Sequence, residues 1–411
     1  MTNYDPNPVI TINGVVIPSD TVINRISLNF GRNDIFSQPQ PGYASLELWA
    51  DTDYALNVNL SDPITIDVDA AVIGTKRMFT GVISDIQIKL GGFGSIGGYA
   101  IYSITGLSVL AALNKRQAGV DNYPKQFEGD RIYNICYEAF VTTWAELSNT
   151  PWDLLPEGSW SSYEGIPVDL VTNLATDIDQ PGLFELTAYA DGITNALSLA
   201  QEAAQSGRGV LYEMPDGSIH YDDLAKRLTY IPIELNENEI LIEGLTTDAQ
   251  WSEIVNDVTI TYKNNQEVYD RDEKSVNLYG ELLGSRATNL ENTIDAENQA
   301  LALLKARAYP RMYPNQIVVA LHNPNVSDIK RDELLEVFCG TALKVTGLPS
   351  VFGILFDGFV ENYTWEIRQK EAFLTMVNSA FEETYPSIIW LQVEPLLTWA
   401  TYPPLVEWNE V

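Results

Sequence analysis

The sequence predicts an α+β fold, mainly β: two small β-barrels flanking a small α+β domain, plus an extended C-terminal arm. Three observations carry this reading. Short runs rich in Val, Ile and Thr, separated by turn clusters, fill residues 9–105 and return over 236–382. Helical periodicity sits between those regions and interrupts the second only once. A pattern F-x-G-apolar-apolar-polar-polar-apolar occurs in each β region, at Phe79–Ile86 and Phe356–Tyr363, and reads as an internal duplication. The boundaries that follow are 1–115 for the first barrel, 116–235 for the intervening domain, 236–382 for the second barrel with its inserted helix, and 383–411 for the arm.

In the first region VITINGVVI, INRISLNF, YASLELWA and PITIDVD are strand-like, parted by PSD, SQPQPG and SD turns. MFTGVISDIQIKL and YAIYSI follow, joined by GGFGSIGG, and a short helix near Leu107–Leu113 closes the segment. Over 129–147 the residues Ile132, Cys136, Phe140 and Trp144 recur at the spacing of one helix face. A second helix is expected at Gly192–Gln205, with Ile193, Leu197, Ala200 and Ala204 on its apolar side and Gly207 at its end. Next, VLYEM and SIHYDD flank Pro-Asp-Gly, a hairpin signal. In the second region NDVTITYKN, QIVVALHN, TALKVTGL, GILFDGFVENYTWEI and KEAFLTMVNSAF read as strands, and residues 295–309 as a helix ended by Pro310. Residues 383–411 differ: Trp390, Trp399 and Trp408 stand nine apart among Pro395, Pro403 and Pro404. Prolines forbid a continuous helix there. The segment reads as an extended arm whose indoles pack on the protein's own core or anchor on a partner.

Acidic residues outnumber basic ones 56 to 24, a net charge of −32. Such a surface repels phosphate backbones, so specific nucleic-acid binding is disfavoured, while a pore that DNA slides through is not. Cys136 and Cys339 lie in apolar runs and read as buried free thiols. The N-terminus MTNYDPNPVITING lacks the basic and apolar regions of a signal peptide, and no membrane span or membrane insertion is expected.

Motifs that could carry chemistry fall short of their requirements. Gly92–Gly97 matches G-x-G-x-x-G, but a strand follows where a dinucleotide site needs a helix. Asp177-Ile-Asp179-Gln-Pro-Gly182 opens like a calcium loop, yet Ala188 occupies the position of the bidentate acid. Asp270 and Asp272 read as a solvated loop. Two histidines, His220 and His322, leave a nucleophilic triad possible but unsupported, and no zinc-binding spacing occurs. No catalytic residue, cofactor or metal is assigned, and the chain is expected not to be an enzyme. A glycan hydrolase would need only two of the many carboxylates, and a carbohydrate-binding module fits the Trp content, so both stay as alternatives.

The most specific stretch is Trp251–Tyr262 (WSEIVNDVTITY), then Asp270–Gly280 (DRDEKSVNLYG), then the helix Asp295–Tyr309. In this succession the chain resembles the hub, or baseplate-hub, proteins of long-tailed bacteriophages of siphophage type, often described as minor tail proteins. The likeness runs over roughly residues 8–381 as an order of elements. It implies that the barrels are tail-tube-like and that the chain forms a homotrimer at the virion's tail tip, assembled in the host cytoplasm. Three chains with two similar barrels each would seat flush on a sixfold ring and adapt it to threefold symmetry. The implied role is to close the tube and anchor host-recognition proteins. The implied partners are distal tail and tail-tube proteins, the tape measure protein, and receptor-binding or fibre proteins. A sixfold distal tail ring is the structural alternative.

Overall fold

The computed structural model describes residues 4–51, 56–91, 98–120, 122–142, 177–190, 192–247 and 250–385. Strands dominate. In the first region they are β1 (Val9–Ile12), β2 (Val15–Val16), β3 (Val22–Gly31), β4 (Gln40–Asp51), β5 (Pro63–Asp69), β6 (Thr75–Gly91) and β7 (Tyr99–Leu107), followed by α1 (Val109–Leu113). The run VITINGVVI is thus a hairpin: Asn13 and Gly14 take φ of 50° and 75°, the left-handed values of a tight two-residue turn. Strict alternation in β4 buries Ala44, Leu46, Leu48 and Ala50 and turns Ser45 and Trp49 outward.

The middle region contains α2 (Glu128–Tyr137), continued by a π-helical turn over Glu138–Thr142, then α3 (Ala196–Ser206) and the hairpin β8 (Val210–Glu213) and β9 (Ile219–Asp222). Ile132, Cys136 and Phe140 are buried on one face, as their spacing requires, and Trp144 lies outside the described residues. Helix α3 starts later than its apolar spacing suggests. Asn195 caps it by accepting from the Ser198 amide at 2.9 Å, which leaves Ile193 exposed before the helix. Its end also differs in mechanism. Gly207 keeps a right-handed φ of −84°, and Arg208 takes the left-handed turn at 56°. Gly207 is needed instead because a Cβ would strike the Glu128 side chain, at 2.7 Å from its Cγ.

The second β region supplies β10 (Ile233–Asn236), β11 (Asp257–Tyr262), β12 (Gln266–Arg271), α4 (Glu273–Tyr279), β13 (Leu283–Ala287), α5 (Thr293–Arg307), β14 (Gln316–Ala320), α6 (Asp328–Leu335), β15 (Ala342–Thr346), β16 (Leu355–Ile367), β17 (Ala372–Ala380) and α7 (Phe381–Thr384). Strands of both β regions, expected as separate barrels, join in one 12-stranded sheet, while β11, β12 and β13 form a three-stranded sheet of their own. The joint is β3 on β16, antiparallel from Ile26↔Ile367 to Gly31↔Asn362. Among the described residues, strand pairing closes neither half on itself. The physical reason is that β3 spends one edge on β4 and the other on β16, so it bridges the halves.

Two main cores result. One lies along the large sheet and draws on both halves, with Leu28, Leu46 and Ile66 from the first and Val319, Trp365 and Leu374 from the second. The other gathers α1, α2, α3 and the β8–β9 hairpin. Strand β11 and helix α5 also pack into this second core, through Val258, Ile260, Ala300 and Leu304. These residues belong to a segment inserted between two neighbouring stretches of the sheet. Thr246 donates its amide to Gln316 O at 3.2 Å, and Asn315 donates to Thr246 O at 3.0 Å, so the chain leaves and returns at one place.

Candidate assembly interface

The duplicated motif folds twice in the same way. Phe79 pairs with Ile66 and Gly81 with Ile64; Phe356 pairs with Val345 and Gly358 with Leu343. Both phenylalanines are buried, and in each copy the phenylalanine ring lies over its own glycine. A Cβ on Gly81 would overlap Leu107 O, and one on Gly358 would overlap Ser379 O. The register against the next strand then slips at the same point, between Ile83 and Asp85 in β6 and between Val360 and Asn362 in β16. A glycine and a bulge at matching positions make the two copies alike in backbone as well as in sequence.

Beyond the bulge the copies diverge. In β16 the core-facing residues are Tyr363, Trp365 and Ile367, none more than 1% exposed. They stand opposite Phe30, Leu28 and Ile26 of β3, and Phe30 stacks on Tyr363 with ring centroids 5.2 Å apart. In β6 the corresponding residues are Ile86, Ile88 and Leu90. Their cross-strand partners Ile104, Tyr102 and Ala100 are buried, so they point to the core side, yet Ile88 is 56% and Leu90 63% exposed. Among the described residues no strand pairs with the other edge of β6 from Asp85 to Gly91. The first half therefore has an open core edge where the second half has a filled one.

The filled edge is locked by a buried ionic junction. Glu361, the bulge residue of β16, accepts from Arg32 Nε at 2.6 Å, Arg227 Nη2 at 2.7 Å and Ser379 Oγ at 2.6 Å. Burial alone would push its carboxyl up, but Arg227 and Arg32 hold it down at about 2. Arg227 also lies over the Phe359 ring, 4.4 Å from its centroid. Cys339 donates to Glu361 O at 3.2 Å, and burial pushes its thiol up to about 12, so it is an inert core group. Ser84, at the matching place in β6, is exposed and donates only to Thr105 O. A second buried carboxylate, Glu213, binds the sheet to the other core. It accepts from the Gly42 amide and Ser108 Oγ, both at 2.6 Å, and from the Leu110 amide at 2.9 Å.

The stretch that carries the resemblance is one structural clip. Asn256 is fully buried; its Nδ2 donates to Ser275 Oγ at 3.1 Å and Gly280 O at 2.8 Å, and its Oδ1 accepts from the Leu282 amide at 2.8 Å. Asp272 is the N-cap of α4 and also accepts from Tyr309 Oη. Trp251 is exposed. The motif thus holds β11, α4 and the end of α5 together. Trp390, Trp399 and Trp408 lie outside the described residues.

One constellation has the look of a nucleophilic triad. Ser218 Oγ is 2.8 Å from His220 Nε2, and His220 Nδ1 is 3.2 Å from Asp177 Oδ2. Its surroundings oppose catalysis. Ser218 donates both its hydroxyl, at 2.6 Å, and its amide, at 2.9 Å, to Asp216 Oδ1. A carboxylate beside the hydroxyl would repel a developing oxyanion, and the amide is already spent. Asp177 also takes Lys226 Nζ at 3.0 Å, together with Asp179 at 3.1 Å, so the pair read as a calcium-loop start is an ion-pair cluster. Strand β6 pairs antiparallel with β7 up to Gly91↔Tyr99, so the element after residues 92–97, which lie outside the described residues, is a strand and not the helix a dinucleotide fingerprint needs. Among the described residues no group of three or more His, Cys, Asp or Glu side chains is arranged to hold a metal ion, and no helix is long and apolar enough to cross a membrane.

No protein-family model and no curated protein matches the sequence. Solved structures do. The 43 kDa tail protein of prophage MuSo2 from Shewanella oneidensis superposes with a TM-score of 0.57 at 12% identity, covering 93% of this chain and 99% of that one. The tail protein from Neisseria meningitidis MC58 gives a TM-score of 0.58 at 12% identity, covering 93% of this chain and 98% of its own. The chain has the fold of these phage tail proteins over nearly its whole length.

Proposed function

We propose that this chain is a structural protein of a bacteriophage tail: a tip hub whose copies join through the open edge of β6. The observation that carries the reading is the unequal treatment of two equivalent edges. Within one chain, β3 covers β16. The matching edge of β6 offers the same backbone and an apolar row, Ile86, Ile88 and Leu90, with no strand on it among the described residues. A strand from a second copy supplies the missing cover, and repetition of one contact around an axis gives a closed ring. Three chains then present six similar sheet units, which suits a homotrimer seated on a sixfold tube. The net charge of −32 keeps DNA from adhering as it passes. In this reading the arm's Trp390, Trp399 and Trp408 grip neighbouring tail or fibre proteins.

The test is the solution mass by light scattering at several concentrations, for wild type and for the double variant Ile88→Lys, Leu90→Lys. The expected result is three times 45.8 kDa for wild type and a smaller mass for the variant, with unchanged circular dichroism. A variant that keeps the wild-type mass removes β6 from the contact. A hexamer points to a distal ring. Clearing of host cell walls by the purified protein would replace the structural reading with a hydrolase.

A further inference from the structure

A cavity of about 20 Å³ lies where the first β region, the second core and the C-terminal helix α7 meet. Its lining includes Arg32, Arg208, Arg227 and Arg286, with Gln38 and Thr384, and no Asp or Glu. In a chain where acids outnumber bases more than two to one, four guanidiniums converge on one small space. Arg32 and Arg227 share a single carboxylate, Glu361. Arg208 Nη2 donates to the Thr384 carbonyl at 2.8 Å and Arg286 Nη2 to the Phe36 carbonyl at 3.2 Å. Among the described residues neither Arg208 nor Arg286 has a carboxylate at ion-pair distance. Asp34, which acts on Arg286 from nearby, is held by Arg307 at 2.9 Å. Thr384 Oγ1 is buried without a hydrogen-bond partner in the same wall.

Half-buried cations that outnumber their counter-charges are costly unless an anion joins them. Burial pushes both Arg208 and Arg286 down to about 10, and the neighbouring guanidiniums add to the effect. Size selects the anion. A cavity needs about 10–15 Å³ to hold one water-sized sphere, so this one holds a single small species. That volume suits a monatomic anion better than the five heavy atoms of phosphate or sulfate.

We infer that this cavity is a binding site for one monatomic anion of the halide class, chloride in ordinary solution, held by Arg208 and Arg286 with Arg32, Arg227 and Thr384 behind them. The ion would tie the loop after β3, the left-handed turn after α3, strand β13 and helix α7 into one junction. Crystals soaked in bromide test this directly, through anomalous scattering. The expected result is a peak between the Arg208 and Arg286 guanidiniums. In solution, chloride is expected to raise the wild-type Tm by about 2 °C over gluconate at equal ionic strength, and Arg286→Gln to abolish that difference. No peak at the cavity, with bromide visible elsewhere on the surface, overturns the proposal. A peak without any chloride dependence of Tm marks an adventitious ion only and also overturns it. The wild-type measurements stand whether or not the variant folds.

Discussion

After the bulge β6 carries Ile86, Ile88 and Leu90, and β16 carries Tyr363, Trp365 and Ile367 at the corresponding places. The first row ends in side chains more than half exposed, and the second is sealed beneath β3. Backbone geometry up to the bulge is the same, so the difference lies in what each edge meets. A repeated unit within one chain thus shows one edge in two states: covered by a strand at β16, and uncovered at β6 among the described residues. That lesson makes the edge of β6 a specific target, where composition alone would offer only a scatter of exposed apolar residues.

Substitutions across the pair can break this comparison. Trp365→Ala is expected to cost about 3–5 kcal/mol in urea unfolding, because a filled core site collapses poorly. Ile88→Ala, its counterpart, is expected to stay within about 0.5 kcal/mol when measured on dissociated protein, and to weaken self-association instead. Equal losses for the two would mean that the β6 edge is already covered within the chain. Next in size, Glu361→Gln leaves Arg32 and Arg227 buried with their charge poorly met, for a loss of about 3 kcal/mol. Ser84→Ala at the matching bulge should be silent in the same assay. Gly81→Ala and Gly358→Ala should each lose about 2 kcal/mol, since each forces a methyl onto a carbonyl of the neighbouring strand. A tolerated Gly81→Ala beside a damaging Gly358→Ala would end the claim that the two motifs are equivalent.

The pH dependence turns on two buried carboxyls that act with opposite sign. Glu361 sits at about 2 when folded, below its unfolded value near ~4.3. Its stabilisation is present above that unfolded value and is lost as pH falls towards 2. Glu128 is raised to about 7, chiefly by burial, against the pull of the Leu183 and Phe184 amides. The folded state then holds the proton more tightly than the unfolded one. Its contribution is complete below about 4.3 and is lost as pH rises through 7. Glu128→Gln should flatten the urea midpoint between pH 5 and 7.5, and Glu361→Gln should flatten it below pH 4.

Much of the fold was legible because strand and helix periods are local. The alternation in YASLELWA and PITIDVD and the Pro215-Asp216-Gly217 turn can be read from neighbours in sequence, whereas the Asn13-Gly14 turn is hidden inside VITINGVVI, which reads as one strand. Helix α6 was not seen, because DIKRDELL has a charged surface and a short apolar face; its cap, Ser327 accepting from the Lys330 amide, was the available signal. The F-x-G duplication pointed to the right strands. It gave no sign that β3 would join the halves, since a strand's choice between edges depends on partners hundreds of residues away. Glu361 was hidden for the same reason: nothing local distinguishes it from the chain's other acids until Arg32 and Arg227 arrive.

The hydrogen-bonded return of the chain at Thr246 and Gln316 has an evolutionary consequence. Whatever lies between two residues that already touch can lengthen, shrink or be exchanged without moving the sheet on either side, because the ends of the replacement are held at a fixed short span. The large sheet can keep its strand order while residues 247–315 vary, provided the few contacts back to it, such as Arg307 with Asp34 and Tyr313 with Glu383, are kept or replaced. Such a splice point lets one scaffold carry different bodies, and related chains of very different sequence could keep the joint while changing what hangs from it.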